Sequence, residues 1–384
     1  MHPSVIIGGG PAGAAAAAVI AAAGRSVTLL ERNAGPTDKV CGDFLSGGAI
    51  AALRKLGCDP LDLGAVPLFT IRLVHRGTSA EAPLPFSAAG LSRRALDEAL
   101  LRIAAQRGAM IRRGETVRSV ERTGAGFAIR IGQDERLAAE TVFLATGKHD
   151  LRGLPRPPRA NGLLGLKMYF GLAPDQGAAL QGCIELILLN GGYAGLQLVE
   201  QDRAVLCMLL PAERYRSAGR NWNTLLAELG AETPLLRQRL AGAMPRLSQP
   251  FAIAGMPYGH LHRFQRQAAP ELFRLGDQAC VVPSFAGDGI AIALQSGMTA
   301  ATAWLHGQDA TRYHAAFAKL VRAPLRFASL LHLACRMPAA QPVVAAAARS
   351  WPATLRLAAS LTRVARANPS ALSSGVVASP RPSQ

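Results

Sequence analysis

Gly8, Gly10 and Gly13 stand in a G-x-G-x-x-G spacing that follows an apolar run, Val5-Ile6-Ile7, and opens an alanine-rich stretch from Ala14 to Ala23. That spacing suits phosphate binding. Gly8 lets the chain turn tightly off a strand, Gly10 leaves no Cβ between backbone and a pyrophosphate, and Gly13 lets helix and strand pack closely. A helix beginning near Ala12 would aim its free N–H groups and the positive end of its dipole at the phosphates. Glu31 closes the next apolar run, Ser26 to Leu30, where a carboxylate takes ribose hydroxyls, and Arg32 follows it in the same nucleotide site. The first three residues, Met1-His2-Pro3, lack the basic start of a secretory signal, and the apolar run behind them is interrupted by three glycines.

A second set lies far along the chain: Gly276-Asp277, then Pro283, then Gly287-Asp-Gly289 before a helix that starts near Ile290. The glycines allow close backbone approach, and the helix start adds a positive field. Cys41, in Lys39-Val-Cys-Gly42, sits in a glycine-rich loop from Asn33 to Gly48, too long for a plain connector; as a nucleophile it would need a lowered pKa. Glu185 lies between Ile184 and Leu186, a carboxylate on an apolar strand, which is how a base with raised pKa is made. With Tyr169, Phe170, Tyr193 and Gln197 it belongs to strands of which one alternating set faces a cavity. Cys41, Glu185 and Tyr193 are the catalytic candidates. His260 and His262 alternate, but no cluster completes a metal site, so no metal is expected; there is no G-x-S-x-G elbow either.

The elements that position these residues follow from periodicity. Helices are expected at about 49–56, from Ser92 as N-cap to Gly108, within 222–240 and over 290–305. Strands are expected at 68–74, as a meander at 116–121, 127–131 and 136–139, at 141–145, and in a second sheet at 164–169, 183–188, 193–199 and 204–210. Beyond Arg312 come alanine-rich helices broken at Pro324, Pro338, Pro342 and Pro352, then a Pro/Ser-rich tail, 368–384, that reads as disordered. In 352–366, Leu357, Leu361 and Val364 fall on one helical face and Arg356, Arg363 and Arg366 on the other. Such a basic amphipathic helix can dock on the protein or rest on an anionic membrane.

Composition bounds the reading. The 384 residues are 49% hydrophobic and 5% aromatic, enough for two packed domains, without an apolar run long enough to span a bilayer. Six scattered cysteines with no C-x-x-C pair argue against a disulfide framework and fit a reducing cytoplasm. The formal charge is +17, but no acid follows Asp309 while ten arginines and lysines do, so the excess is concentrated at one end and does not point to nucleic acid.

Taken with Arg93 in Ser92-Arg-Arg-Ala-Leu-Asp97, the two glycine sets make the chain resemble a two-domain FAD-dependent oxidoreductase. The superfamily is that of aromatic hydroxylases, geranylgeranyl reductases and flavin halogenases, and the likeness runs over roughly residues 4 to 310. The resemblance implies an α/β fold: a Rossmann-type, glutathione-reductase-like FAD-binding domain (1–65, 91–162, 263–310), an inserted β-sheet substrate domain (66–90, 163–262) and a C-terminal helical segment (311–367). It implies FAD on Gly8, Gly10, Pro11, Ala12, Gly13, Glu31, Arg32, Cys41, Gly42, Arg93, Gly147, Gly276, Asp277, Pro283, Gly287, Gly289 and Ile290, with Arg94 an alternative to Arg93. Asp277 would reach the ribityl chain.

The implied activity is a monooxygenase that hydroxylates an aromatic, polyketide or other lipophilic small molecule with O2 through a flavin C4a-hydroperoxide, NAD(P)H or a separate reductase giving the electrons. Lys39-Val-Cys-Gly42 resembles the K-x-C-G of geranylgeranyl reductases, which implies the alternative of a reductase or dehydrogenase of isoprenoid or polyketide double bonds. A non-catalytic flavin-binding protein at a membrane surface is a third reading. Gly191 to Glu200 departs from the reductases' aromatic motif, Ala145-Thr-Gly-Lys-His149 from the hydroxylases' Asp-Gly pair, and no W-x-W-x-I-P of halogenases occurs. The implied location is the cytoplasm, with contact to the inner membrane face through 311–367.

Overall fold

The computed structural model describes residues 2–157, 162–263 and 269–364, so the tail 368–384 and Arg366 lie outside the described residues. Val5, Ile6 and Ile7 are buried on both faces, as a strand covered on each side requires. Their strand, His2–Ile7, is central in a seven-stranded sheet, parallel to Thr28–Glu31 on one side and to Glu135–Leu144 on the other. Met110–Arg113 and, much later, Leu272–Arg274 extend the parallel part. Helix Pro11–Ala22 is buried along nearly its whole length because its alanines let helices Arg93–Gln106 and Gly289–Leu305 close onto it.

The second sheet has nine strands. Val66–His75 and Thr78–Gly90 enter it as a hairpin before the chain returns to helix Arg93–Gln106, and Leu163–Gly171, Cys183–Leu189, Gly192–Val199 and Arg203–Pro211 make most of the rest. One face packs on helices Trp222–Glu232 and Pro234–Arg239. The other meets the C-terminal helices, among them Cys335, Ala348 and Leu355.

Three expectations need correction. The stretches 136–139 and 141–145 are one strand, Glu135–Leu144, whose first half pairs antiparallel with Gly126–Ile131 and whose second half pairs parallel with His2–Ile7; the change of partner, not a break in the chain, alters its hydrophobic pattern. Pro324 does not end its helix. Ala310–Arg336 runs through it, since a buried stripe of Tyr313, Phe317, Val321, Leu325, Ala328 and Cys335 outweighs one lost N–H bond. The faces of 352–366 hold only in part: Arg356 is exposed and Val364 buried as expected, but helix Ala353–Leu361 exposes Leu357 and Leu361 and buries Leu355 and Ala359, while Arg363, just past its end, turns inward.

Candidate active site

A cavity of about 420 Å³ runs from the start of helix Pro11–Ala22 to the C-terminal helices. Its first-sheet end is walled mostly by backbone: Gly10, Pro11 and Ala12, then Ala145 and Gly147, then Gly287, Gly289 and Ile290. Gly8 and Gly13 shape this turn from behind. Gly8 has φ +109°, and a Cβ there would stand 2.4 Å from the Ala145 carbonyl oxygen; a Cβ at Gly13 would stand 2.0 Å from the Gly8 carbonyl oxygen. Gly10 caps the helix with ordinary extended backbone and no side-chain cap, so the first N–H groups are left for a ligand. Helix Gly289–Leu305 also starts at the cavity without a side-chain cap, and the two helix starts put positive potential on one trough.

Charged side chains border the trough. Arg93 lines it, held by both oxygens of Asp97 at 2.7 Å, whereas Arg94 points to solvent. Asp277 lines it from the turn Gly276–Gln278, where the Gly276 N–H donates to Ser296 Oγ at 2.8 Å. Glu31 accepts the Gly9 N–H at 2.7 Å and the Asn33 N–H at 3.0 Å. Burial pushes its carboxyl up, but Lys39 and these N–H groups outweigh that and hold it below the usual range, so it is ionised.

The loop carrying Cys41 and Gly42 lines the middle of the cavity, and a buried network fixes it there. Lys167, fully buried, donates to Asp43 Oδ2 at 2.7 Å and to the Lys39 carbonyl at 3.0 Å; the Tyr169 hydroxyl, with its single proton, lies 2.6 Å from Asp43 Oδ2 and 3.0 Å from Asp38 Oδ1; Gln197 donates to the carbonyls of Gly42 and Asp43. Past the loop the walls turn apolar, with Ile71, Leu73, Ile184, Leu186 and Phe285 among them. Tyr193 stands on this wall. Its hydroxyl accepts the Phe285 N–H at 3.2 Å and lies 2.9 Å from Ser284 Oγ and 3.1 Å from His332 Nδ1. Arg336 Nη1 approaches His332 Nε2 at 3.5 Å, and since guanidinium only donates, this assigns the imidazole proton to Nδ1, which then donates to Tyr193. Burial holds the Tyr193 phenol well above its usual pKa and lowers His332 to about 4, Arg336 adding to the latter, so near neutral pH the phenol is protonated and the imidazole neutral.

The chain matches the family model of an FAD-binding domain over residues 1–143. It is similar to a menaquinone reductase of Mycolicibacterium smegmatis, at 25% identity over 347 residues, 83% of this chain and 80% of that protein. Its fold is that of the flavin-dependent brominase Bmp2 (TM-score 0.76, 17% identity, 94% of this chain and 93% of that one) and of a mutant of P. aeruginosa PqsL (0.73, 18%, 87% and 96%). Residues 1–143 thus match an FAD-binding domain, and the whole fold is one that flavin-dependent proteins share. The trough fits FAD on its own terms: a backbone-walled groove at an uncapped helix start takes the pyrophosphate, an ionised Glu31 stands behind the turn, and the second uncapped helix start lies where the groove meets the apolar half.

Of the residues expected at the flavin, Gly10, Pro11, Ala12, Cys41, Gly42, Arg93, Gly147, Gly276, Asp277, Gly287, Gly289 and Ile290 line the cavity. Gly8, Gly13 and Glu31 support the turn instead. Arg32 is directed to His149 Nε2 at 3.0 Å and does not line the cavity; nor does Pro283, which precedes the turn Ser284–Ala286. Among the catalytic candidates, Cys41 and Tyr193 face the cavity, and Glu185 does not. Strand alternation gives the cavity Ile184 and Leu186 and turns Glu185 to the opposite face, where Arg72 and Arg239 (3.0 Å) bind its Oε1. This carboxylate joins buried Arg239 to half-buried Arg72, which Glu81 also holds, so Glu185→Gln, which leaves Arg239 without a counter-charge, is expected to cost roughly 3–5 kcal/mol of stability. A lowered melting temperature with an unchanged flavin spectrum checks it, and an unchanged melting temperature would refute it. His260 and His262 belong to no metal cluster among the described residues.

Sequence reasoning missed His332, Ser284, Asp43, Lys167 and Arg363. Arg363 donates to the carbonyls of Ala286 and Gly287 and, at 3.1 Å, to Asp288 Oδ1, and its guanidinium lies over the Phe86 ring at 4.8 Å. Asp288 also accepts Ser46 Oγ–H at 2.6 Å and the Val364 N–H at 2.9 Å, so the turn beside the flavin groove is clasped by the C-terminal segment.

Proposed function

We propose that the protein is an FAD-dependent reductase that adds hydrogen across a double bond of a lipophilic substrate of the polyprenyl-quinone or isoprenoid class. Tyr193 carries this reading: a protonated phenol, held by the Phe285 N–H and His332, on an otherwise apolar wall of the cavity that begins at the flavin groove. FAD, reduced by NAD(P)H or a separate reductase, supplies the hydride. The apolar walls bind the substrate and exclude water, and Tyr193 delivers the proton to the carbon that does not receive the hydride. Two N–H groups directed at the phenol oxygen stabilise the negative charge left there, and a proton from solvent, relayed through Ser284 Oγ as it takes one up and hands one on, restores the phenol. The likeness to a menaquinone reductase and the Lys39-Val-Cys-Gly42 loop support the same substrate class.

A second reading, a monooxygenase of a lipophilic or aromatic molecule, is favoured by the same apolar walls, because oxygen transfer from a flavin also needs water kept out. One experiment divides them. The holoprotein is reduced without O2 and mixed with menaquinone or another polyprenyl substrate, and flavin absorbance and product mass are followed. Anaerobic flavin reoxidation with a product heavier by two hydrogens is expected. A product that forms only with O2 and carries one more oxygen would overturn the reductase in favour of the monooxygenase, and a protein that takes up no FAD would overturn both.

A further inference from the structure

Seven of the eleven large apolar residues exposed among the described residues fall between 330 and 361: Leu330, Leu333, Met337, Val343, Trp351, Leu357 and Leu361. They belong to three consecutive helices and the joint before the last, Ala310–Arg336, Gln341–Ser350 and Ala353–Leu361. On the first helix Leu330 and Leu333 continue a stripe begun by exposed Arg322 and Arg326 at spacings of three and four residues, and Met337 stands at its C-cap. Arg349 and Arg356 are exposed beside Trp351, and the sequence holds no acid after Asp309. Cys335, Val344, Ala348 and Leu355, on the inner side of the same helices, line the cavity. A tryptophan, scattered aliphatic side chains and cations without counter-charges are the chemistry of a lipid headgroup boundary, where each cation near an anionic surface adds on the order of 1 kcal/mol.

We propose that these three helices dock the protein on the surface of an anionic lipid bilayer, with the cavity directly behind the docking face. The contact is peripheral, since no helix among the described residues is long and apolar enough to cross a membrane. It differs from a face built of Leu357, Leu361 and Val364 against Arg356, Arg363 and Arg366, because Val364 is buried and Arg363 is committed to Asp288. It goes beyond the proposed reaction and stands whichever chemistry the flavin performs.

The test is flotation of the full-length holoprotein with vesicles of phosphatidylcholine containing phosphatidylglycerol, and with phosphatidylcholine alone. Flotation with the anionic vesicles is expected, weakened by salt, with a blue shift of tryptophan emission that Trp351→Phe removes. The triple variant Leu330→Gln, Trp351→Gln, Leu357→Gln, none of which lines the cavity, is expected to lose at least about tenfold in partitioning with flavin content and melting temperature unchanged. No flotation of the parent protein overturns the proposal, as does equal flotation of the triple variant. A parent dimer that the same substitutions turn into monomer also overturns it, by assigning the face to a second copy of the chain.

Discussion

Gly10→Val is expected to give a protein that folds and purifies without colour. The backbone at Gly10 is extended (φ −72°), which valine adopts, and the atom nearest to a Cβ there is the side-chain tip of Arg93 at 3.2 Å, which needs to give by only a few tenths of an ångström. The isopropyl group would stand in the groove at an uncapped helix start, where the pyrophosphate must come closest. A loss of at least about 100-fold in FAD affinity, about 2.7 kcal/mol, is expected by titration of the apoprotein. The melting temperature of the two apoproteins should differ little, the comparison being made without FAD because a ligand stabilises whatever binds it. Gly13→Ala makes the contrast: its methyl would stand 2.0 Å from a backbone oxygen and 3.1 Å from Ile6, so something rigid must move and the fold itself loses about 1–3 kcal/mol. If Gly10→Val binds FAD as tightly as the parent, the groove is not the pyrophosphate site.

Tyr193→Phe is expected to lower kcat for substrate reduction by about 10²- to 10⁴-fold with little change in KM, the range in which a positioned general acid contributes. FAD binding should be unaffected, and the lost hydrogen bonds should cost about 1–2 kcal/mol of stability. The pH profile is a second readout. His332 takes up a second proton only well below its ordinary value, at about 4, and the Tyr193 phenol keeps its proton well above its ordinary value. Both therefore keep the same protonation state from weakly acid to weakly alkaline conditions. The parent enzyme should show no inflection near the ordinary histidine value of about 6.5 and should lose rate only as the pH falls toward that of His332. Retention of more than about a third of kcat by Tyr193→Phe would remove it as the proton donor.

The cofactor end of the site was readable because one short stretch carries it. From Val5 to Gly13 strand, turn and helix follow one another, and each glycine has a local steric reason. The substrate end was not, because its pairs are distant in sequence: Tyr193 with His332 and Lys167 with Asp43 meet only through the sheet and the long helix. Glu185 was misjudged for a simpler reason. Its apolar neighbours were visible, but which face of the strand met the cavity depended on Arg72 and Arg239, which come from elsewhere. Arg363 was placed on a solvent face by extending a helical wheel past Leu361, where the helix stops and the chain turns in. Thr78–Gly90 escaped notice because its alternation is carried by alanine and proline, which weigh little on a hydrophobic scale.

The clasp of Arg363 and Val364 on Asp288 has a consequence for biosynthesis. A ribosome releases the first glycine turn early, but the turn at Ala286–Asp288 is secured only when residues 363 and 364 have emerged, more than 70 residues later. A nascent chain can thus hold one half of its cofactor cradle long before the other is fixed. Stable capture of the flavin then waits on residues 363 and 364, and a product cut short before Arg363 would leave the ribosome with the glycine motif intact and the far side of the groove unfastened.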